Sequence, residues 1–263
     1  MTFPDILLED EFIVAFDKPS GMAVVPEGRK GAGATLMGLV RGRFGASTAN
    51  VHRLDAEASG VVLCARTKPA LDFLSGQFQS KTVRKTHYAL VALRPQGAEG
   101  ASGDAKRDAA GALPAEFTVD LDLGEDEHKP GRVRVFRKRG GRPSVTEFRV
   151  IESFGRFAWV ECRPLTGRMH QVRVHLASAG APVLNDALYG DAGSVLLLSG
   201  LKRGYKGRDT ERPLISRLAL HAGSLGFTHP QSREPVEIAS PLPDDIGIAL
   251  KYLRKFAGPG SGG

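Results

Sequence analysis

Residues 61–65, Val61-Val62-Leu63-Cys64-Ala65, bounded by Gly60 and by Arg66-Thr67, constrain this chain more than any other stretch. An apolar run without polar alternation reads as a strand buried on both faces, which requires a sheet with packed layers on either side. The loop that feeds it, Val51-His52-Arg53-Leu54-Asp55-Ala56-Glu57-Ala58-Ser59-Gly60, sets an acid among basic side chains. A carboxylate at the mouth of a buried strand is partly desolvated, which raises its pKa unless a nearby cation favours the charged form. Asp55 is therefore the first candidate for chemistry, and it calls for a cation.

The best source of that cation is Pro164-Leu165-Thr166-Gly167-Arg168-Met169-His170-Gln171-Val172-Arg173-Val174-His175-Leu176-Ala177-Ser178-Ala179-Gly180. Thr166 can cap a helix, Met169, Val172, Leu176 and Ala179 recur at helical spacing, and Gly180 followed by Pro182 is a stop signal. Arg168, Gln171 and Arg173 fall away from the apolar stripe. Polar donors near a helix start suit an anion or an acid. His170 and His175 do not suggest a metal, since in a helix they point about 140° apart and in a strand to opposite faces.

The two stretches together resemble the RluA-type RNA pseudouridine synthases, whose pattern runs His-Arg-Leu-Asp-x-x-Thr-Ser-Gly and later Thr-Gly-Arg-Thr-His-Gln-Ile-Arg-Val-His. The likeness starts at Asp17-Lys18-Pro19-Ser20-Gly21. It continues through Gly180-Ala181-Pro182, Asp186-Ala187-Leu188-Tyr189-Gly190, Arg217-Leu218-Ala219-Leu220-His221-Ala222 and Phe227-Thr228-His229-Pro230. Nearly the whole chain is covered, in the family's order. Three positions depart from it. Ala58 and Met169 stand where the family has Thr, and in the family's Lys-x-Tyr-x-Ala stretch Lys85-Thr86-His87-Tyr88-Ala89 puts His87 in the tyrosine slot.

The rest of the chain fits one catalytic domain over 1–257, with a flexible Gly/Ala-rich insertion at about 95–115 and a Gly-rich tail at 258–263. At 263 residues and 41% hydrophobic, the chain can bury a real core. Strands are expected at Phe12–Phe16, Met22–Val25, Thr86–Leu93, Thr146–Ile151 and Phe157–Cys162. Short helices are expected after Thr35 and from Pro69, the latter with Leu71, Leu74 and Phe78 on one face. Strands and helices alternate without a regular βαβ period, so the class is α+β with a mixed, largely antiparallel sheet. The resemblance implies the pseudouridine synthase fold. The S4 RNA-binding module that many members of that family carry is not expected ahead of the first strand.

A formal charge of +7 favours a polyanionic partner. The basic residues cluster in Lys129–Arg142, where Arg132 and Arg134 alternate with Val133 and Val135 as on an edge strand, and in Lys202–Arg208. Either cluster can be a solvated surface or a phosphate contact. The acidic patch Asp120 to Glu127 reads as a solvated loop. Cys64 and Cys162 sit in apolar runs and read as buried thiols of a reducing compartment, with no zinc-ligand spacing. No apolar run is long enough to span a bilayer and no signal-peptide layout opens the chain, so a cytoplasmic protein is expected.

The resemblance implies isomerisation of uridine to pseudouridine in ribosomal or transfer RNA, with no cofactor and no metal. It assigns the nucleophile or base to Asp55 and its basic partner to Arg173. Arg53 would fill the space vacated by a flipped base or hold a flanking phosphate, Arg168 and His170 would bind phosphate or support the loop, and His87 or Tyr88 would stack on the target base. A monomer is the default. Two other classes remain open: a non-catalytic RNA-binding protein on the same scaffold, and a glycosidase-like hydrolase, for which only Glu57 lies near as a second carboxylate.

Overall fold

The run after Gly60 forms β4, the most buried strand of the chain's N-terminal part, with all seven of its residues buried. The computed structural model describes residues 2–26, 35–95, 107–108, 111–137, 140–191, 194–205 and 210–258. The elements begin with β1 (Asp5–Glu9), β2 (Ile13–Lys18), α1 (Leu36–Phe44), β3 (Ala49–Asn50), β4 (Ser59–Ala65), α2 (Lys68–Gln79) and β5 (Arg84–Ala92). They continue with β6 (Glu116–Asp120), β7 (Asp122–Glu125), β8 (Val133–Phe136), β9 (Val145–Phe154), β10 (Phe157–Pro164) and α3 (Gln171–Ser178). The last are α4 (Leu198–Leu201), β11 (Leu220–Thr228), β12 (Pro235–Ala239) and α5 (Asp244–Phe256). The class is α+β, as expected; β4 pairs with β11 in parallel, whereas β1·β2, β2·β4, β3·β4, β6·β9, β7·β8, β9·β10 and β11·β12 are antiparallel.

The chain forms two compact units, Met1–His87 with His221–Pro241, and Tyr88–Leu220 with Leu242–Gly263. In the first, β2 runs antiparallel to β4 from Ile13↔Ala65 to Lys18↔Gly60, and β11 runs parallel to β4 at its start. Because strand side chains alternate, β4 serves two cores. Val61, Leu63 and Ala65 pack with Ala70 and Leu74 of α2 and with Leu225, Phe227 and Ile238. Val62 and Cys64 pack with Leu36, Met37 and Val40 of α1 and with Phe16. Each fully buried Val, Leu, Ile, Phe or Met side chain among them contributes about 1.5–3 kcal/mol, which fixes the mouth of β4 firmly in place. Thr35 caps α1 by accepting from the Gly38 N–H at 3.2 Å, and Thr67 caps α2, whose first turn holds Pro69.

In the second unit, β10, β9 and β6 form an antiparallel set, and β7 with β8 makes a separate hairpin. The helix α5 buries Ile246, Ala249, Leu250 and Leu253, spaced as one apolar face, and carries Asp244 and Asp245 at its start and Arg254 and Lys255 at its end. No helix among the described residues is long and apolar enough to cross a membrane.

Several expectations need correction. Met22–Val25 is not a strand. The Ala23 and Val24 carbonyls instead accept the Leu36 and Met37 N–H groups, which a helix start leaves without partners inside the helix. Thr166 does not cap α3, which begins at Gln171 behind His170 in a left-handed conformation (φ 53°). Nor is only one face of α3 core, since all eight of its residues, the polar Gln171, Arg173, His175 and Ser178 included, are buried. The acidic patch is not a solvated loop: Asp122–Glu125 pairs with Val133–Phe136, so acidic and basic stretches are the two strands of one hairpin. The proposed insertion at 95–115, the basic cluster's Lys206–Arg208 and the tail past Gly258 lie largely outside the described residues. Within the insertion's described part, the Arg107 guanidinium donates to the Arg94 and Gly180 carbonyls.

Candidate active site

In the first unit, the Asp55 loop is held from below by the turn after β2. Lys18 is wholly buried, and its ammonium donates to the carbonyls of Pro19 (3.0 Å), Met22 (2.8 Å), Ala56 (3.1 Å) and Ala58 (2.6 Å). A buried cation is tolerable only when such dipoles replace its water. The Gly21 N–H adds a bond to the Ala56 carbonyl at 2.7 Å, and the Ser20 hydroxyl donates to the Glu57 carbonyl at 2.5 Å. The Ala58 N–H closes the turn onto the Asp55 carbonyl at 3.2 Å. Asp55 is half-buried, while Arg53 and Glu57 are exposed.

The strand beneath the loop admits only glycine at its second residue. Gly60 has φ +116°, and a Cβ there would lie 2.2 Å from the Ala222 carbonyl oxygen of β11. This close approach seats β4 and β11 side by side at the base of the loop.

Histidines flank the same loop. His52 Nε2 accepts the Leu63 N–H at 3.1 Å, and its ring stacks on Phe78 at 5.1 Å. Burial, with Lys85 nearby, pushes its pKa down to about 4, so it is a neutral structural acceptor. His87 is pushed further, to about 3, first by burial and then by Lys85, His52 and His221. Lys85 itself is lowered by burial to about 8. Tyr88, the next residue along β5 and hence on the other face, lies in the second unit and stacks on Trp159 at 5.5 Å and 18°.

In the second unit, Arg173 is buried inside α3. Its Nε and Nη2 donate to the two oxygens of Asp186 at 2.7 and 2.8 Å, and the side chains are 2% and 0% exposed. Asp186 Oδ1 also accepts the Leu188 and Tyr189 N–H groups, so one carboxylate folds its own loop and grips the arginine. Gly190 closes that loop, because a Cβ there would meet the Asp186 carbonyl at 2.5 Å. The guanidinium also lies over the Tyr189 ring at 5.4 Å.

The residues leading into α3 are organised by hydrogen bonds. Gln171 accepts from the Thr166 hydroxyl and the Arg168 N–H, and donates to the Val145 carbonyl and Thr146 hydroxyl of β9. His170 Nδ1 meets the Tyr189 hydroxyl at 2.8 Å, and that hydroxyl accepts the Val133 N–H of β8. Burial raises the Tyr189 pKa. Arg168 is exposed and His170 half-buried.

Of the candidates read from sequence, Asp55, Arg53 and His87 belong to the first unit, and Tyr88, Arg168, His170 and Arg173 to the second. Sequence reasoning assigned no role to Lys18, Asp186 or Tyr189. The signal was present, since all three stand in stretches that carry the resemblance. Among the described residues, no three His, Cys, Asp or Glu side chains are placed to hold a metal ion.

The chain matches the family model of RNA pseudouridylate synthases over residues 12–178. It is 34% identical over 258 residues to ribosomal large subunit pseudouridine synthase D of Neisseria meningitidis, covering 97% of this chain and 62% of that protein. Its identity to the protein of the same name from Xanthomonas campestris is 33% over 261 residues, covering 95% of this chain and 70% of that one. The chain belongs to the RluA-type RNA pseudouridine synthase family.

The fold agrees. The solved structure of human RNA pseudouridylate synthase domain containing 1 superposes with a TM-score of 0.67 at 21% identity, covering 97% of this chain and 96% of that one. The matched stretch 12–178 includes both Asp55 and Arg173. This family member spans 62% of the length of the Neisseria relative.

Proposed function

We propose that this protein isomerises uridine to pseudouridine in RNA, with ribosomal RNA, the substrate named in its relatives, ahead of transfer RNA. The reaction breaks the bond from C1′ of the ribose to N1 of uracil, turns the base over and joins C1′ to C5, releasing the C5 hydrogen as a proton. It needs neither a redox cofactor nor a metal. Asp55 acts as nucleophile at C1′ or as base at C2′. Arg173 is its basic partner, as the family pattern assigns, and Asp186 keeps that guanidinium in one orientation.

The single observation that carries this reading is the construction of the Asp55 loop. A half-buried acid stands on a turn whose carbonyls are fixed by a buried ammonium, the preorganisation that catalysis by a carboxylate demands. Supporting roles follow from exposure and pairing. Exposed Arg53 fills the gap left by the flipped base or holds a flanking phosphate, and Arg168 with His170 contacts phosphate. Tyr88 is occupied by Trp159, which leaves neutral His87 as the ring that stacks on uracil. The protein works as a monomer in the cytoplasm.

The test is tritium release from RNA labelled at uridine C5, extracted from cells lacking this protein. Release by the parent and its loss in Asp55→Asn is the expected result. RNA bound by both proteins with salt-dependent affinity, with no release from either, would instead select the reading that the His87 departure favours, a non-catalytic RNA-binding protein.

A further inference from the structure

We propose that Asp17, Ser240, His221 and Ser59 form a directed hydrogen-bond chain that positions the Asp55 loop, with Ser59, His221 and Ser240 as positioning residues. The inference rests on Asp55 being the catalytic acid. The Ser240 hydroxyl lies 2.8 Å from Asp17 Oδ1. His221 Nε2 lies 3.3 Å from the Ser240 hydroxyl and 3.5 Å from its carbonyl oxygen, and His221 Nδ1 lies 3.0 Å from the Ser59 hydroxyl. Ser59, His221 and Ser240 are 4%, 1% and 8% exposed.

Every direction in the chain follows from its acceptor-only ends. The Asp17 carboxylate makes Ser240 the donor, and the Ser240 carbonyl can only accept, so His221 carries its proton on Nε2. In the neutral imidazole Nδ1 is then an acceptor, and the Ser59 hydroxyl donates to it. The orientation of Ser59 is thus set by a residue near the far end of the sequence. Ser59 directly follows the turn closed by Ala58 on Asp55, and its backbone pairs with His221. Asp17 and Lys18 are neighbours on β2: one anchors the hydrogen-bond chain, and the other grips the Ala56 and Ala58 carbonyls. The loop is therefore held at its base through both.

Three readouts test this. Nitrogen-15 NMR of the parent reads the His221 tautomer without any substitution, and Nε2–H is expected; Nδ1–H would overturn the proposal. Amide exchange at Ala58 and Gly21 in Ser240→Ala and Ser59→Ala should accelerate by about tenfold, the effect of one lost hydrogen bond. Turnover should fall by about tenfold at unchanged KM, with Ser240→Thr restoring both. Unchanged exchange in both alanine variants, with the parent active, would refute the chain as a positioning device. An inactive parent whose Ala58 exchange still responds would sink the enzymatic reading and leave the structural linkage standing.

Discussion

Replacing Asp186 by asparagine tests whether the Arg173 charge is held by its buried partner. The exchange keeps the side-chain oxygen that accepts the Leu188 and Tyr189 N–H groups and Nη2, removes the negative charge, and replaces the oxygen facing Nε by an amide donor. With side chains 2% and 0% exposed, water cannot compensate. Breaking a buried pair from one side costs about 3–5 kcal/mol. At about 2–4 °C per kcal/mol for a chain of this size, the melting temperature should drop by roughly 6–20 °C. Urea unfolding followed by Trp159, the chain's single tryptophan and a member of the same unit, reads the loss directly. Asp186→Ala should be worse, because it also strands two backbone donors. Arg173→Met combined with Asp186→Asn should lie closer to the parent than Asp186→Asn does, since the guanidinium is then gone while the oxygen for the Leu188 and Tyr189 N–H groups stays. An Asp186→Asn variant within about 1 kcal/mol of the parent would refute the reasoning.

Other substitutions and conditions probe the first unit. Gly60→Ala forces a Cβ to 2.2 Å from the Ala222 oxygen at φ +116°; a loss of at least about 3 kcal/mol in urea unfolding is expected, and a normal midpoint would contradict the close approach. Acid should weaken the fold below pH 6.5, because unfolded His52 and His87 take up protons there while the folded groups resist until about 4 and about 3. The unfolded state then binds more protons, so stability falls with pH by up to about 1.4 kcal/mol per unit for each histidine; a urea midpoint unchanged from pH 7 to 5 would show ordinary titration. Burial raises the Cys64 thiol to about 12 and the Cys162 thiol well above its usual range. Neither should react with a thiol reagent at pH 8 until the protein is unfolded, and rapid labelling of the native protein would count against these burials.

What sequence could reveal was governed by distance along the chain. The burial of β4 follows from its own composition, the start of α1 from the Thr35 hydroxyl ahead of an apolar run, and that of α2 from Pro69. The α3 expectation went wrong because a fully buried helix has no amphipathic signature, so the Met169 to Ala179 spacing described only part of a helix that is covered all round. Its start was misplaced because Thr166 has a stronger use, accepting the Val145 N–H of β9 while donating to Gln171. The acidic patch was misread because its partner strand lies across a turn that charge alone does not announce. Met22–Val25 looked like a strand because apolar residues also occur where a backbone segment receives a helix start.

The partners missed at the candidate site share a physical reason. A buried charge must be neutralised or solvated by groups from elsewhere in the chain, and single-sequence patterns reveal the charge but not its counterpart. Lys18 and Arg173 show two sets of such partners. Lys18 donates to four carbonyls and so fixes backbone, whereas Arg173 donates to a carboxylate and so fixes its own guanidinium. The difference suits their proposed tasks. A loop carrying a reactive acid needs its main chain immobilised while the acid's side chain stays available for chemistry, and a partner cation needs its planar donors aimed.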